Sequence, residues 1–168
     1  MAMFQPKPLS PDGVPRAIEK AERYRLLNEP VEAESICLDV LEADPQNHQA
    51  VVTLLLALTD QFEEDAVDAL RRARDLLPRL SDDYQRAYYA GLICERRAKA
   101  QLKRGGPGSG YVAYEFFREA MSLYERAEAL RPAGNDDALL RWNTCARIVE
   151  RHADLKSAPE EWSEPPLE

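Results

Sequence analysis

The chain has 168 residues, 45% of them apolar and 31% charged, which is long enough to bury a real core and too apolar for a disordered segment. Thirty acidic against 22 basic residues leave a net charge of −8, the reverse of the balance that neutralises phosphates, so no nucleic-acid partner is expected. The longest strongly apolar run, residues 50–58, falls far short of the roughly 20 residues that span a bilayer. The opening Met-Ala-Met-Phe-Gln-Pro carries no basic-then-apolar leader, and the expectation is a cytoplasmic protein with no membrane partner.

Residues 1–13 read as an extended N-terminal segment, with prolines spacing Phe4-Gln5-Pro6-Lys7-Pro8-Leu9. Apolar and small residues then recur at helical spacing and predict seven helices, over residues 14–27, 30–43, 46–59, 63–77, 82–103, 111–130 and 136–155. Pro30 suits the first turn of the second helix, where its missing N–H is no loss. Pro45, Pro78 and Pro132 each follow an amphipathic run, where proline stops a helix. Pro45 and Pro78 stand 33 residues apart, close to the roughly 34-residue period of a helix-turn-helix repeat. Residues 105–110, Gly-Gly-Pro-Gly-Ser-Gly, predict an exposed turn between the fifth and sixth helices. Because closure entropy varies slowly with loop length, shortening that turn is expected to leave stability nearly unchanged. Residues 156–168 form an acidic, proline-rich tail containing Trp162.

The small residues fall in register with the prolines. Ala21, Ala33 and Pro45 are each 12 apart, as are Leu54, Ala66 and Pro78, and Ala120 and Pro132 keep the same interval. Together with Tyr24, and with Gly91 in Tyr88-Tyr89-Ala90-Gly91, this resembles the tetratricopeptide repeat (TPR) family. In such repeats small side chains let two helices of a hairpin approach closely, and hairpins that cannot bury their apolar faces alone must stack. Gly91 and Ala120 are 29 apart where the other units have 12, so the third hairpin is expected to project by roughly 13 Å at 1.5 Å per residue. Trp142, Cys145, Ala146 and Val149 have the spacing of a repeat's first helix, and no second helix follows, which is similar to the family's capping helix. Over about 14–155 the resemblance implies an all-α fold, a TPR-like right-handed α-solenoid of about seven antiparallel helices with the third hairpin elongated. Ala21 is expected near Ala33, and Leu54 near Ala66.

The same resemblance implies a non-enzymatic scaffold or adaptor that binds a partner protein or peptide along its concave groove. The groove positions it gives are Ile18, Glu22 and Arg25 on the first helix and His48, Val51, Leu55 and Leu58 on the third. On the fifth they are Gln85, Tyr88, Leu92 and Glu95, and on the seventh Asn143, Arg147 and Glu150. A carboxylate clamp of the family's kind is not expected, because the first, third and fifth helices lack its basic set. The third helix is apolar nearly all round, as a helix buried on both sides is. Val51, Leu55 and Leu58 therefore need a cover, which is ordinary core, a partner peptide, or one of the chain's own ends. The alternatives to an adaptor are a small acidic TPR chaperone for a secreted or assembled protein, and a homo-oligomeric structural component. In the last case Tyr111, Tyr114 and Phe117, part of an aromatic stripe on the sixth helix, supply the interface; core packing is the competing explanation of that stripe.

No catalytic, metal or cofactor constellation emerges. Cys37, Cys94 and Cys145 are widely spaced and odd in number, which argues against a disulfide framework and for buried packing. His48 and His152 lack partners at ligand or triad spacing. Arg96, Arg97, Lys99, Lys103 and Arg104 lead into the glycine-rich turn, which lacks the order of a nucleotide loop, so a solvated basic face is expected there.

Overall fold

Backbone chemistry sets the first boundary. Asn28 takes a left-handed φ of 60°, and the Glu29 and Asn28 amides donate to the carbonyls of Tyr24 and Arg25. This paired reverse bonding satisfies the last carbonyls of a helix, and asparagine tolerates the conformation it requires. Pro30 then opens the next helix from its first position.

The structure is a computed structural model and describes residues 3–160. Its regular structure is entirely helical, with no strand among the described residues. The helices are α1 (Val14–Leu26), α2 (Pro30–Ala43), α3 (His48–Thr59), α4 (Ala66–Leu76), α5 (Asp83–Arg104), α6 (Ser109–Leu130) and α7 (Asp137–Arg151). Short 3-10 turns at Pro11–Gly13 and Leu77–Arg79 flank α1 and α4. Among the described residues no helix is long and apolar enough to cross a membrane. The Asn47 side chain caps α3 by accepting from the Ala50 amide at 2.9 Å, the usual role of asparagine at that position.

The chain divides into two compact units, Met1–Asp82 and Asp83–Glu168, so the boundary falls inside the helical span expected over 14–155. In the first unit each helix packs on the next, and α1 also touches α3. Val14 and Ile18 of α1, Val40 of α2 and Ala50 of α3 form one buried cluster there. The N-terminal segment docks on that cluster through Leu9, while Phe4 stays 84% exposed. α3 buries eight of its 12 residues, Val51, Leu55 and Leu58 among them, as its all-round apolar sequence requires.

In the second unit α5 packs along α6, and α6 against α7. α5 and α6 have 22 residues each, against 11 to 14 for α1–α4. At 1.5 Å per residue that is roughly 33 Å against 16–21 Å, so the long hairpin is present. A Cβ built on Gly91 would lie 2.7 Å from Tyr124 Cε1 and 3.3 Å from the Ala120 carbonyl oxygen. Gly91 thus marks the close crossing of the two long helices, opposite Ala120.

Two boundaries depart from expectation. The exposed turn does not run over 105–110, because α6 begins at Ser109. Ser109 is buried and its hydroxyl donates to the Gln101 carbonyl at 2.7 Å. A Cβ on Gly110 would sit 2.4 Å from the Asp154 carbonyl oxygen, so the second half of the glycine-rich stretch is packed and shortening there is not neutral. α7 stops at Arg151 rather than 155. Residues 152–156 turn back as a strap that seats Leu155, 5% exposed, in the α5–α6–α7 cluster. Burying Leu155 beside the side-chain-free Gly110 wins over one more helical turn. Of the chain's two ends, the N-terminal one packs through Leu9 on Val14, Ile18, Val40 and Ala50, a cluster that does not include Val51, Leu55 or Leu58, and Trp162 lies outside the described residues.

Candidate functional site

The groove residues fall into three groups. Val51, Leu55, Leu58, Leu92 and Glu95 are at most 2% exposed, and Ile18 is 6% exposed among its neighbours Val14, Val40 and Ala50. A second set is engaged within the fold. Arg25 Nε donates to Asp60 at 2.7 Å, and Glu22 accepts from Gln49 Nε2 at 2.7 Å, both joining α1 to α3 and its end. The third set faces solvent wholly or in part: His48, Gln85, Tyr88, Asn143, Arg147 and Glu150. On the long hairpin Tyr111 and Tyr114 are half-buried, whereas Phe117 is fully buried core.

Two arrangements stand out that the sequence did not single out. The first is a cavity of about 380 Å3 in the first unit. Leu38 and Leu41 of α2, Leu54 and Leu58 of α3 and Leu76 of α4 line it, with Glu42, Arg72, Asp75 and Arg79 as its charged residues. Leu54 and Leu58 therefore line a recess shared with α2 and α4. Arg72 is held in an ion pair with Glu34 of α2, and Arg79 donates to the Pro45 carbonyl at 2.9 Å. Leu38 is 47% exposed at this recess, and its signal in the sequence is a leucine on the outer side of an otherwise amphipathic helix.

The second is a buried ion cluster around Glu95, which has no exposed surface. Its carboxylate accepts from the Tyr124 hydroxyl at 2.8 Å, from Lys99 Nζ at 3.1 Å and from Arg141 Nη1 at 3.2 Å, linking α5, α6 and α7. Only the Glu95–Lys99 pair, one helical turn apart, could be read from sequence. Tyr88 stacks with Tyr84, ring centroids 6.0 Å apart. Burial opposes the charge of Arg141, but the Glu95 carboxylate and the Tyr88 hydroxyl hold its pKa above the usual value. In the basic run, Lys99 is thus committed to Glu95, and Arg97 stacks over the Phe116 ring at 4.0 Å. Among the described residues no group of three or more His, Cys, Asp or Glu side chains is placed to hold a metal ion.

Burial pushes the Cys37 and Cys145 thiols up to about 12, and Tyr89 likewise to about 12. Burial, reinforced by the Glu95 carboxylate, raises Tyr124 as well. All four are neutral in the fold, and in the unfolded chain they give up protons at lower pH. The stability tied to them is therefore complete below about pH 9 and is lost as pH climbs toward 12, by about 1.4 kcal/mol per pH unit per group. Three of the four lie in the second unit. Its urea midpoint, followed by Trp142 fluorescence, is expected to fall between about pH 8 and about pH 10.5. A flat midpoint would show that these groups reach water in the native state.

No protein-family model matches the chain, and the curated proteins and solved structures likewise yield no match.

Proposed function

We propose that this chain is a non-catalytic, cytoplasmic helical scaffold of the TPR type that holds a partner protein, and that the leucine-lined recess between α2 and α4 is where the partner anchors. The repeat reading is supported by the packing of consecutive helices in the first unit, by the additional α1–α3 contact, and by the Arg79-to-Pro45 bond across 34 positions. The recess carries the binding reading. It offers about 380 Å3 of space, with Leu38 and Leu41 as its accessible apolar wall, Leu54, Leu58 and Leu76 nearly buried behind them, and charges of both signs around it. Such a recess suits one large apolar side chain of a partner, flanked by polar contacts, which is how a few buried anchors dominate protein interfaces.

Of the apolar groove residues expected on α1 and α3, Ile18, Val51 and Leu55 are buried and do not line the recess, while Leu58, 1% exposed, does. A photoreactive residue at Leu38 is expected to give a discrete adduct with one partner in extract of the source cell. The same residue at Leu140, 59% exposed in the second unit, serves as control. Leu38→Arg is expected to weaken capture by roughly 30-fold, the loss of about 2 kcal/mol typical of a buried anchor contact. Equal adducts at both positions, or capture indifferent to Leu38→Arg, would remove the recess as the binding point. An adduct of twice the chain's mass would identify the partner as a second copy, favouring a homo-oligomeric component.

A further inference from the structure

α7 is unevenly held. α5 buries eight residues and α6 six, but α7 buries only Ala138 and Cys145. It is preceded by the exposed residues 131–134, where Gly134 has a φ of +80°, and is followed by the strap over 152–156. Its polar links to the long hairpin include Arg141 to Glu95 on α5 and Trp142 Nε1 to Glu125 on α6 at 3.0 Å, the latter in an exposed position. The Glu95 end of the first link is fully buried and cannot exchange it for water. Trp142, Ile148 and Val149 add partly buried apolar contacts, but a helix with two fully buried residues and one buried ionic tie is held less firmly than α5 or α6 and is the kind of element that opens locally while the rest stays folded.

We propose that α7 and its strap form a releasable latch on the α5–α6 hairpin. They lift as one unit, and the Arg141–Glu95 pair sets how often they do so. Release uncovers the Cys145 thiol and a seat for a partner's amphipathic helix. That helix carries an arginine, because the Glu95 carboxylate, held in place by the Tyr124 hydroxyl, already accepts from a guanidinium. The latch lies wholly in the second unit and does not depend on the leucine recess.

The test uses the full-length chain. Amide exchange is expected to be faster throughout α7 and 152–156 than in α5 and α6. Glu95→Gln keeps the size of the side chain and an acceptor for Tyr124 but removes the charge. It is expected to raise amide exchange in α7 and 152–156 at least about tenfold more than in α5 and α6. Exchange in α5 and α6 should rise only with the loss of overall stability of the unit. A single common exchange rate for α5, α6 and α7, or equal acceleration of all three by Glu95→Gln, would overturn the latch. The seat is tested with a labelled peptide of residues 135–156 added to the Arg141→Ala chain. It is expected to bind at least about tenfold tighter than the same peptide carrying Arg141→Ala. Equal binding, or none, overturns the guanidinium seat.

Discussion

Glu95→Ala is expected to destabilise the second unit by about 3 kcal/mol, the lower end of the 3–5 kcal/mol range for removing one member of a buried ion pair. The reason for the lower end is geometric. Lys99 and Arg141 have side chains 39% and 32% exposed, so both cations can turn back to water when the carboxylate goes. Tyr124 has no exposed surface, and its hydroxyl loses its partner without access to solvent. A buried unsatisfied hydroxyl alone costs about 1–3 kcal/mol. Glu95→Gln, which can still accept from Tyr124, should cost about half as much. Urea titration followed by Trp142 fluorescence measures both variants. A change below about 1 kcal/mol for Glu95→Ala would mean that the hairpin and α7 relax around the vacancy and that the cluster contributes little to stability.

Most of the helical plan was legible in the sequence because it is written in local chemistry. Pro30, Pro45 and Pro78 act within a turn of their own positions, and the boundaries they imply agree with the structure to within two residues for α2 and α3. Gly91 could be singled out because Tyr88-Tyr89-Ala90-Gly91 resembles the stretch where the repeat family places a glycine at the helix crossing, and Tyr124 makes the close approach there. The strap was not legible. Leu155 continues the helical period of α7, and nothing near it in sequence says that Gly110, 45 residues earlier, leaves room for the Asp154 carbonyl.

The candidate sites were less legible than the helices, for a related reason. Helical periodicity says that Val52, Leu54, Leu55 and Leu56 cannot all face one way, but it does not say which face of α3 a partner can reach. The answer depends on how α2 and α4 flank α3, and they leave Leu38 and Leu41 at the recess while Leu54 and Leu58 line it as buried residues. Glu95 presents the same difficulty. A glutamate at a helix position nominally facing a groove reads as exposed and polar until Tyr124 and Arg141, 29 and 46 positions away, arrive to bury and pair it.

The crossing of the long helices makes the second large prediction. Gly91→Val is expected to destabilise the second unit by about 3 kcal/mol or more, at the upper end of the range for overpacking a filled core. Two effects oppose each other at this position. Replacing a mid-helix glycine by alanine gains about 1 kcal/mol of helix propensity. Against that, the first added carbon meets Tyr124 Cε1 at 2.7 Å and Cδ1 at 2.8 Å, distances at which one of them must move. The ring cannot swing out, because its hydroxyl is bound to Glu95 and Tyr88 lies against it with centroids 5.9 Å apart. The Ala120 carbonyl at 3.3 Å blocks a shift of α5 toward α6. Strain therefore outweighs propensity even for Gly91→Ala, with a net loss of about 1–2 kcal/mol, and valine adds two further methyl groups in the same space. Tyr124→Leu removes the opposing ring, so the double variant Gly91→Ala, Tyr124→Leu should be more stable than the two single losses sum to, by at least about 1 kcal/mol of coupling. Additive losses would mean that the helices part at Gly91 without the ring resisting, and the close crossing would then not be what holds the long hairpin in register.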